Sequence, residues 1–282
     1  MTDIKQKISD FTSLVGRRFD RDHMDSFWAF EPEFRQLVSE GFAAEVMNLQ
    51  LGELAANPVH LGDWRPNQVI LYRAPAIALA LTLLEAPRQY IHAAPFYALY
   101  APIGEFPLHY QRYRLPVNFR NEVFDPTMRL VADESGIVNP GEVLQLHSDQ
   151  YAYDFVINQP QLVVKLTTSA FQTQEWLFNR GNLTAWQASD SELAATQLRV
   201  SAYTLGRLAH ISSIEPLMAI TDHTHHTVRW AAVQSLGRLS RSKAMEALEK
   251  AVRDPHPHVA RAAAKTLNAL KQKIGGANHD GN

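Results

Sequence analysis

The feature that most constrains this chain is a self-similarity at an offset of 31 residues in its last third. The segments VRWAAVQSLGRL (228–239) and VARAAAKTLNAL (259–270) align at that offset. The same step links Leu205, Leu236 and Leu267, links Leu208, Leu239 and Leu270, and puts Ser201, Ala232 and Ala263 at one position. On the preceding helices, Leu217 and Leu248 are again 31 apart. Two amphipathic helices per unit cannot bury their apolar stripes alone, so such units must stack on one another. Ala231, Ala232, Ala262, Ala263 and Ala264 let helices approach closely, and the leucines fill the space between layers. Ser212 followed by Glu215 reads as a capping-box start, and Asp254-Pro255 introduces the last helix in the same way.

This region resembles the HEAT-like repeats of the phycobilisome-lyase type, in which Asp-x-x-x-x-Val-Arg opens the second helix. Asp222 to Val228-Arg229 is one residue longer than that pattern, and Asp254 to Val259 keeps the spacing but has Ala260 in place of Arg. The resemblance implies a short α-solenoid over 187–275, followed by a disordered tail at 276–282, and it implies a surface that docks another protein. The turns between helices are rich in histidine: His223, His225 and His226 in one, His256 and His258 in the next. Equivalent turns lie along one edge of a stack, so these imidazoles are expected near each other, as a partner-binding or pH-sensitive patch. Arg199, Arg229, Arg238 and Trp230 are expected to add a basic face with one aromatic.

Upstream the pattern changes twice. Residues 1–59 read as helical, with Phe34, Leu37, Val38, Phe42, Val46, Leu49 and Leu54 predicting one helix over 31–54. Residues 60–186 contain short runs rich in Val, Tyr, Phe and Leu between Pro, Gly and Asn, which predict strands near 68–72, 90–100, 109–115, 128–132, 142–146, 151–157, 161–167 and 175–178. The run 76–84 fits helix by its Ala and Leu content and strand by its flanks. The fold class expected is α+β in two domains: helices, an antiparallel β-barrel or sandwich, then the helical repeats.

Within the β region, Gly141-x5-His147-x-Asp149-x4-Asp154 resembles the first cupin motif, in which a small β-barrel holds one divalent metal by His and Glu from its strands. In a second register Pro140-Gly141 is the turn of the other cupin motif, Tyr153 or Asp154 stands where its His belongs, and His92 remains from the first motif with Ala94 as its degenerate partner. Both registers imply a cupin-like barrel with an incomplete ligand set. The candidate metal ligands are His92, His109, His147 and Asp149, since imidazole and carboxylate suit Fe, Mn, Ni or Zn. The cofactor expectation is therefore none, or one such ion.

Composition narrows the chemistry. There is no cysteine, so disulfides and a thiol nucleophile are excluded and a cytoplasmic setting is expected. No apolar run is long enough for a membrane span, and neither a Walker A loop nor Gly-x-Gly-x-x-Gly nor Gly-x-Ser-x-Gly occurs. Net charge is −2, yet residues 198–274 carry 12 Lys+Arg against 5 Asp+Glu. Three readings follow. The first is a non-catalytic binding or adaptor protein, with a small-molecule ligand in the barrel and a protein on the repeats. The second is a metal-dependent cupin-type oxygenase or isomerase acting on a small metabolite. The third and weakest is a nucleic-acid binder through the basic helices.

Overall fold

The computed structural model describes residues 3–38, 41–57, 59, 63–86 and 89–277. The chain divides into two units, Met1–Phe119 with Asp125–Ala188, and Arg120–Phe124 with Ser189–Asn282.

The first unit opens with α1 (Ile4–Arg18), a 3-10 turn at Met24–Phe30, α2 (Glu31–Leu37) and α3 (Phe42–Ala56). The single helix expected over 31–54 is thus two: Val38 leaves helical geometry and Gly41 adopts φ 87°, a conformation that favours glycine. Phe11, Val15, Phe27, Phe30, Phe34 and Val46 carry the apolar side of this layer onto one face of a sheet, against Leu79, Leu81, Leu99, Val164 and Leu166.

The strands are β1 (Trp64–Arg65), β2 (Gln68–Arg73), β3 (Ile77–Leu84), β4 (Tyr90–Ala93), β5 (Ala98–Ile103), β6 (Leu108–Arg114), β7 (Val131–Val138), β8 (Leu144–Leu146), β9 (Tyr151–Val156), β10 (Gln161–Thr168), β11 (Gln174–Asn179) and β12 (Ala185–Asp190). They form two antiparallel sheets ordered β1-β2-β3-β10-β5-β8 and β12-β11-β4-β9-β6-β7. The inner sets β3-β10-β5-β8 and β4-β9-β6-β7 are the two halves of an eight-stranded jelly roll, the cupin-like architecture. The ambiguous run 76–84 is β3, a central strand with the helical layer on one side and the second sheet on the other. Burial on both faces is what gave it a helix-like continuous apolar sequence. The strand expected over 90–100 breaks between β4 and β5 at Pro95, and the one expected at 128–132 begins only at Val131. Between the sheets lie Ala98, Tyr100, Leu146 and Val163 from one side and Leu108, Val138, Tyr153 and Ile157 from the other.

The second unit contains α4 (Leu193–Leu208), α5 (Ile214–Ala219), α6 (His226–Leu239), α7 (Arg241–Ala251) and α8 (Pro257–Ala277). Ala202, Leu217, Ala231, Leu236, Leu248, Ala263 and Leu267 form its core, as the 31-residue repeat requires. One repeat position departs: Leu208 is exposed, because it lies in the last turn of α4, before Ala209 turns left-handed at φ 54°. The expected capping box at Ser212 is not formed. The Ser212 hydroxyl bonds His210 Nδ1 at 2.6 Å, and the residue preceding α5 is Ser213, with no side-chain cap. α8 runs to Ala277, and residues 278–282 of the expected tail lie outside the described residues.

Candidate functional site

Directly paired residues on neighbouring strands share a face, so the pairing His92↔Tyr153 and the pairing Arg112↔Tyr153 place all three on the inner side of the β4-β9-β6 sheet. His92 Nδ1 donates to Glu175 Oε1 of β11 at 2.7 Å, a half-buried pair at the margin of the jelly roll. Tyr153 is one of the two residues, with Asp154, expected at the His position of the second cupin register. Its hydroxyl donates to the Gln145 carbonyl and accepts the His147 N–H, both at 3.3 Å. It therefore pins the turn between β8 and β9, and burial pushes its pKa up to about 12.

Beyond Tyr153 the inner face is aromatic and cationic. Tyr100 and Phe155 stack with centroids 5.3 Å apart. The Arg112 guanidinium lies 4.3 Å over the Tyr151 ring and is clasped by Asp133 at 2.7 Å and Glu134 at 2.9 Å. A side chain at position 136 would strike the Tyr110 ring at 2.4 Å, so only glycine lets that ring lie flat on β7.

The four metal candidates do not converge. His109 pairs with Ile137 and Val156 on the outer face of the sheet that carries His92 inward. His147 and Asp149 both lie in the β8–β9 turn and not on a strand. The His147 ring packs 4.1 Å from Trp28, and its Nε2 donates to Gln145 at 3.2 Å. Burial lowers the His147 pKa, with Asp149 and Asp25 acting against that shift. Burial raises the Tyr97 pKa, and the charges of Asp149 and Asp25 add to that shift. Among the described residues no three His, Asp or Glu side chains are grouped to hold an ion.

The repeat unit does bring its histidines together. His225 and His226 stack at 5.2 Å, His226 and His256 at 3.7 Å with ring planes 1° apart, and His258 meets His256 edge-on at 5.3 Å. Parallel rings keep their nitrogen lone pairs in separate planes, which suits stacking and not a shared ion. Each turn uses imidazole as a backbone acceptor: His223 Nδ1 takes the His225 N–H at 3.0 Å, and His256 Nδ1 takes the His258 N–H at 3.3 Å. His256 Nε2 donates to the Glu122 carbonyl at 2.6 Å, so both of its nitrogens are engaged. His225 donates to Thr227, and Thr227 donates to Asp190 at 3.0 Å. Burial, then the neighbouring His256 and His225, push the His226 pKa down to about 4.

Two of the four residues expected on a basic outer face are engaged inside the unit. Arg199 Nε donates to Asp190 at 2.9 Å. Arg229 grips Asp254 through two bonds of 2.7 and 2.6 Å and also reaches the carbonyls of His223 and Thr224. Trp230 packs partly buried against the helical core, and Arg238 is exposed. Sequence reasoning missed Glu175, Asp190 and the Glu122 carbonyl. Their partners lie 83, 9 to 37 and 134 residues away in sequence, and no local pattern marks them, although Asp190, Asp222 and Asp254 recur at a step of 32.

Residues 195–275 match the family of HEAT repeats. A search of curated proteins finds no match to the chain. Solved structures similar to it include hydroquinone 1,2-dioxygenase from Sphingomonas sp. TTNP3 with 4-hydroxybenzoate bound, at 12% identity over 42% of this chain and 71% of that one, TM-score 0.31. A DMSP lyase, DddQ, from Ruegeria pomeroyi DSS-3 aligns at 14% identity over 41% and 54%, TM-score 0.25. A cupin domain from Bordetella pertussis Tohama I aligns at 9% identity over 39% and 100%, TM-score 0.24. Scores this low bear on no activity; the strand order itself defines the jelly roll. Among the described residues no helix is long and apolar enough to cross a membrane.

Proposed function

We propose that this chain is a non-catalytic, cytoplasmic binding protein. The HEAT repeats dock another protein, and the jelly roll serves as a small-molecule holder or rigid platform. The observation that carries this reading is the state of the position where His92 and Tyr153 meet. His92 is held by Glu175, and the Tyr153 hydroxyl is engaged with two backbone groups, so the donors of a cupin-type metal centre are not assembled there. The remaining inward groups, Tyr100, Phe155, Tyr151 and Arg112, suit stacking and hydrogen bonding to a bound molecule.

The half-buried His92–Glu175 pair favours a second reading, a metal-dependent oxygenase or isomerase of cupin type. Metal analysis of the purified, folded protein separates the two. We expect Fe, Mn, Ni and Zn each well below one per chain; a stoichiometric ion that is lost in His92→Ala would replace the binding reading with the enzymatic one. The nucleic-acid reading is weakened because Arg199 and Arg229 are occupied by Asp190 and Asp254.

A further inference from the structure

The outer side of α4 is an apolar stripe with no acidic residue on it. Leu193, Val200 and Leu208 are 72%, 53% and 69% exposed, and Ile211 just beyond the helix is 75% exposed. At 100° per residue Leu193, Gln197, Val200, Thr204 and Leu208 fall on one face, opposite the Ala195, Ala202 and Gly206 face that is buried. The Thr204 hydroxyl bonds back to the Val200 carbonyl at 3.0 Å, which leaves its methyl group outward. The stripe from Leu193 to Leu208 is about 22 Å long.

One end of this stripe is cationic. The Tyr203 hydroxyl of α4 bonds Gln234 of α6 at 3.0 Å, and one helical turn later on each helix stand Arg207 and Arg238. The Gly206–Ser235 approach fixes that register, since a Cβ at position 206 would lie 2.7 Å from the Ser235 Cβ. Arg207 and Arg238 therefore stand at matching positions on neighbouring helices, both exposed, and among the described residues neither has an acidic partner. Like charges so placed repel until an anion joins them.

Resting on the docking reading above, we infer that this face of α4 binds an acidic amphipathic helix of a partner protein. Its apolar side lies along Leu193, Val200 and Leu208, and its carboxylates meet Arg207 and Arg238. A helix is the fitting occupant because a repeat stack grows by adding a helix layer to an uncovered face. The charge complementarity argues against a second copy of this chain, whose own α4 carries no acidic residue to meet Arg207 and Arg238.

The test uses the full-length protein and a fluorescein-labelled 18-residue peptide with leucine at helical spacing and glutamate elsewhere, read by anisotropy. We expect saturable binding that weakens about tenfold or more in Arg207→Glu/Arg238→Glu and in Val200→Asp, and weakens from about 50 mM to about 500 mM salt. Arg253→Glu, at another exposed cation, should leave binding unchanged. All the altered side chains are exposed, so unchanged melting of the variants confirms that they fold. Three results would each overturn the inference. The first is no saturable binding up to about 1 mM peptide. The second is equal binding by the variants. The third is a homodimer in sedimentation that Val200→Asp dissolves, or duplex DNA that competes the peptide away. Each leaves the metal measurement untouched, so this inference can fail while the binding reading stands.

Discussion

Arg229 and Asp254 keep only 12% and 6% of their side chains exposed, and the guanidinium joins the turn before α6 to the turn before α8. Burial opposes ionisation of Asp254, but the Arg229 hydrogen bonds and charge outweigh it and hold the carboxyl below its usual range. Arg229→Ala strands that carboxylate, so we expect a loss of about 3–5 kcal/mol in urea unfolding of the repeat unit. Arg229→Ala with Asp254→Ala should recover part of the loss, because no unpaired charge then remains buried. The sequence marked Arg229 as an outward cation because an arginine on a helix does not announce an acceptor 25 residues on. The histidines were more legible: a shared solenoid edge predicted their proximity, and they stack. Protonation of His226 is unfavourable in the folded state, since burial and then the neighbouring His256 and His225 lower its pKa from 6.5 to about 4. The unfolded chain then binds more protons, so stability contributed by this ring is complete above pH 6.5, declines as pH falls toward 4, and changes no further below that. His226→Phe, which keeps the stacking surface and removes the proton site, should flatten the pH dependence of unfolding within that window.

At the scale of the element, close packing of α4 on α6 depends on a missing side chain. A Cβ at Gly206 would lie 2.7 Å from Ser235 Cβ and 2.9 Å from its Cα, and the second contact is backbone that cannot rotate away. Gly206→Val should therefore push the helices apart at a cost of about 1–3 kcal/mol, seen as a lower urea midpoint. Ser235→Gly in that background should restore part of it if the clash is the cause. Most elements could be read from the sequence, because the repeat step and period-two alternation are local signals; β2, β6, β9, β10, α6 and α8 fall where expected. Three failures have distinct reasons. The α2–α3 break depends on the left-handed backbone at Gly41, inside an unbroken apolar pattern. The helix-or-strand ambiguity of β3 reflects a strand covered on both sides. The strand β12 has Ala185 as its one buried residue, with Trp186 exposed, so it carries no period-two alternation to register. The site was less legible: the pairing of His92 with Tyr153 and the hold of Tyr153 on the β8–β9 turn join residues far apart in sequence and require the third dimension.

Each unit has its own packing: in the first, one core joins the N-terminal helices to the jelly roll and another lies between its sheets, and in the second a core lies within the repeats. The repeat unit is discontinuous in sequence, since it takes in Arg120–Phe124 from the β6–β7 connection, where the Glu122 carbonyl receives His256 Nε2. Separate cores permit separate melting, and the titratable stack belongs to only one of them. Calorimetry of the intact chain should therefore resolve two transitions. Between pH 7 and pH 5 we expect one of them to fall by roughly 5 °C while the other moves little, because acid charges the His226 ring of the unfolded repeat unit before that of the folded one. The two can be assigned without dissecting the chain: Arg229→Ala should lower the acid-sensitive transition, and Trp176→Ala, which empties a fully buried site beside Phe119 and Phe178 in the β unit, should lower the other. A single transition at every pH, shifted alike by both substitutions, would mean that the two units unfold as one.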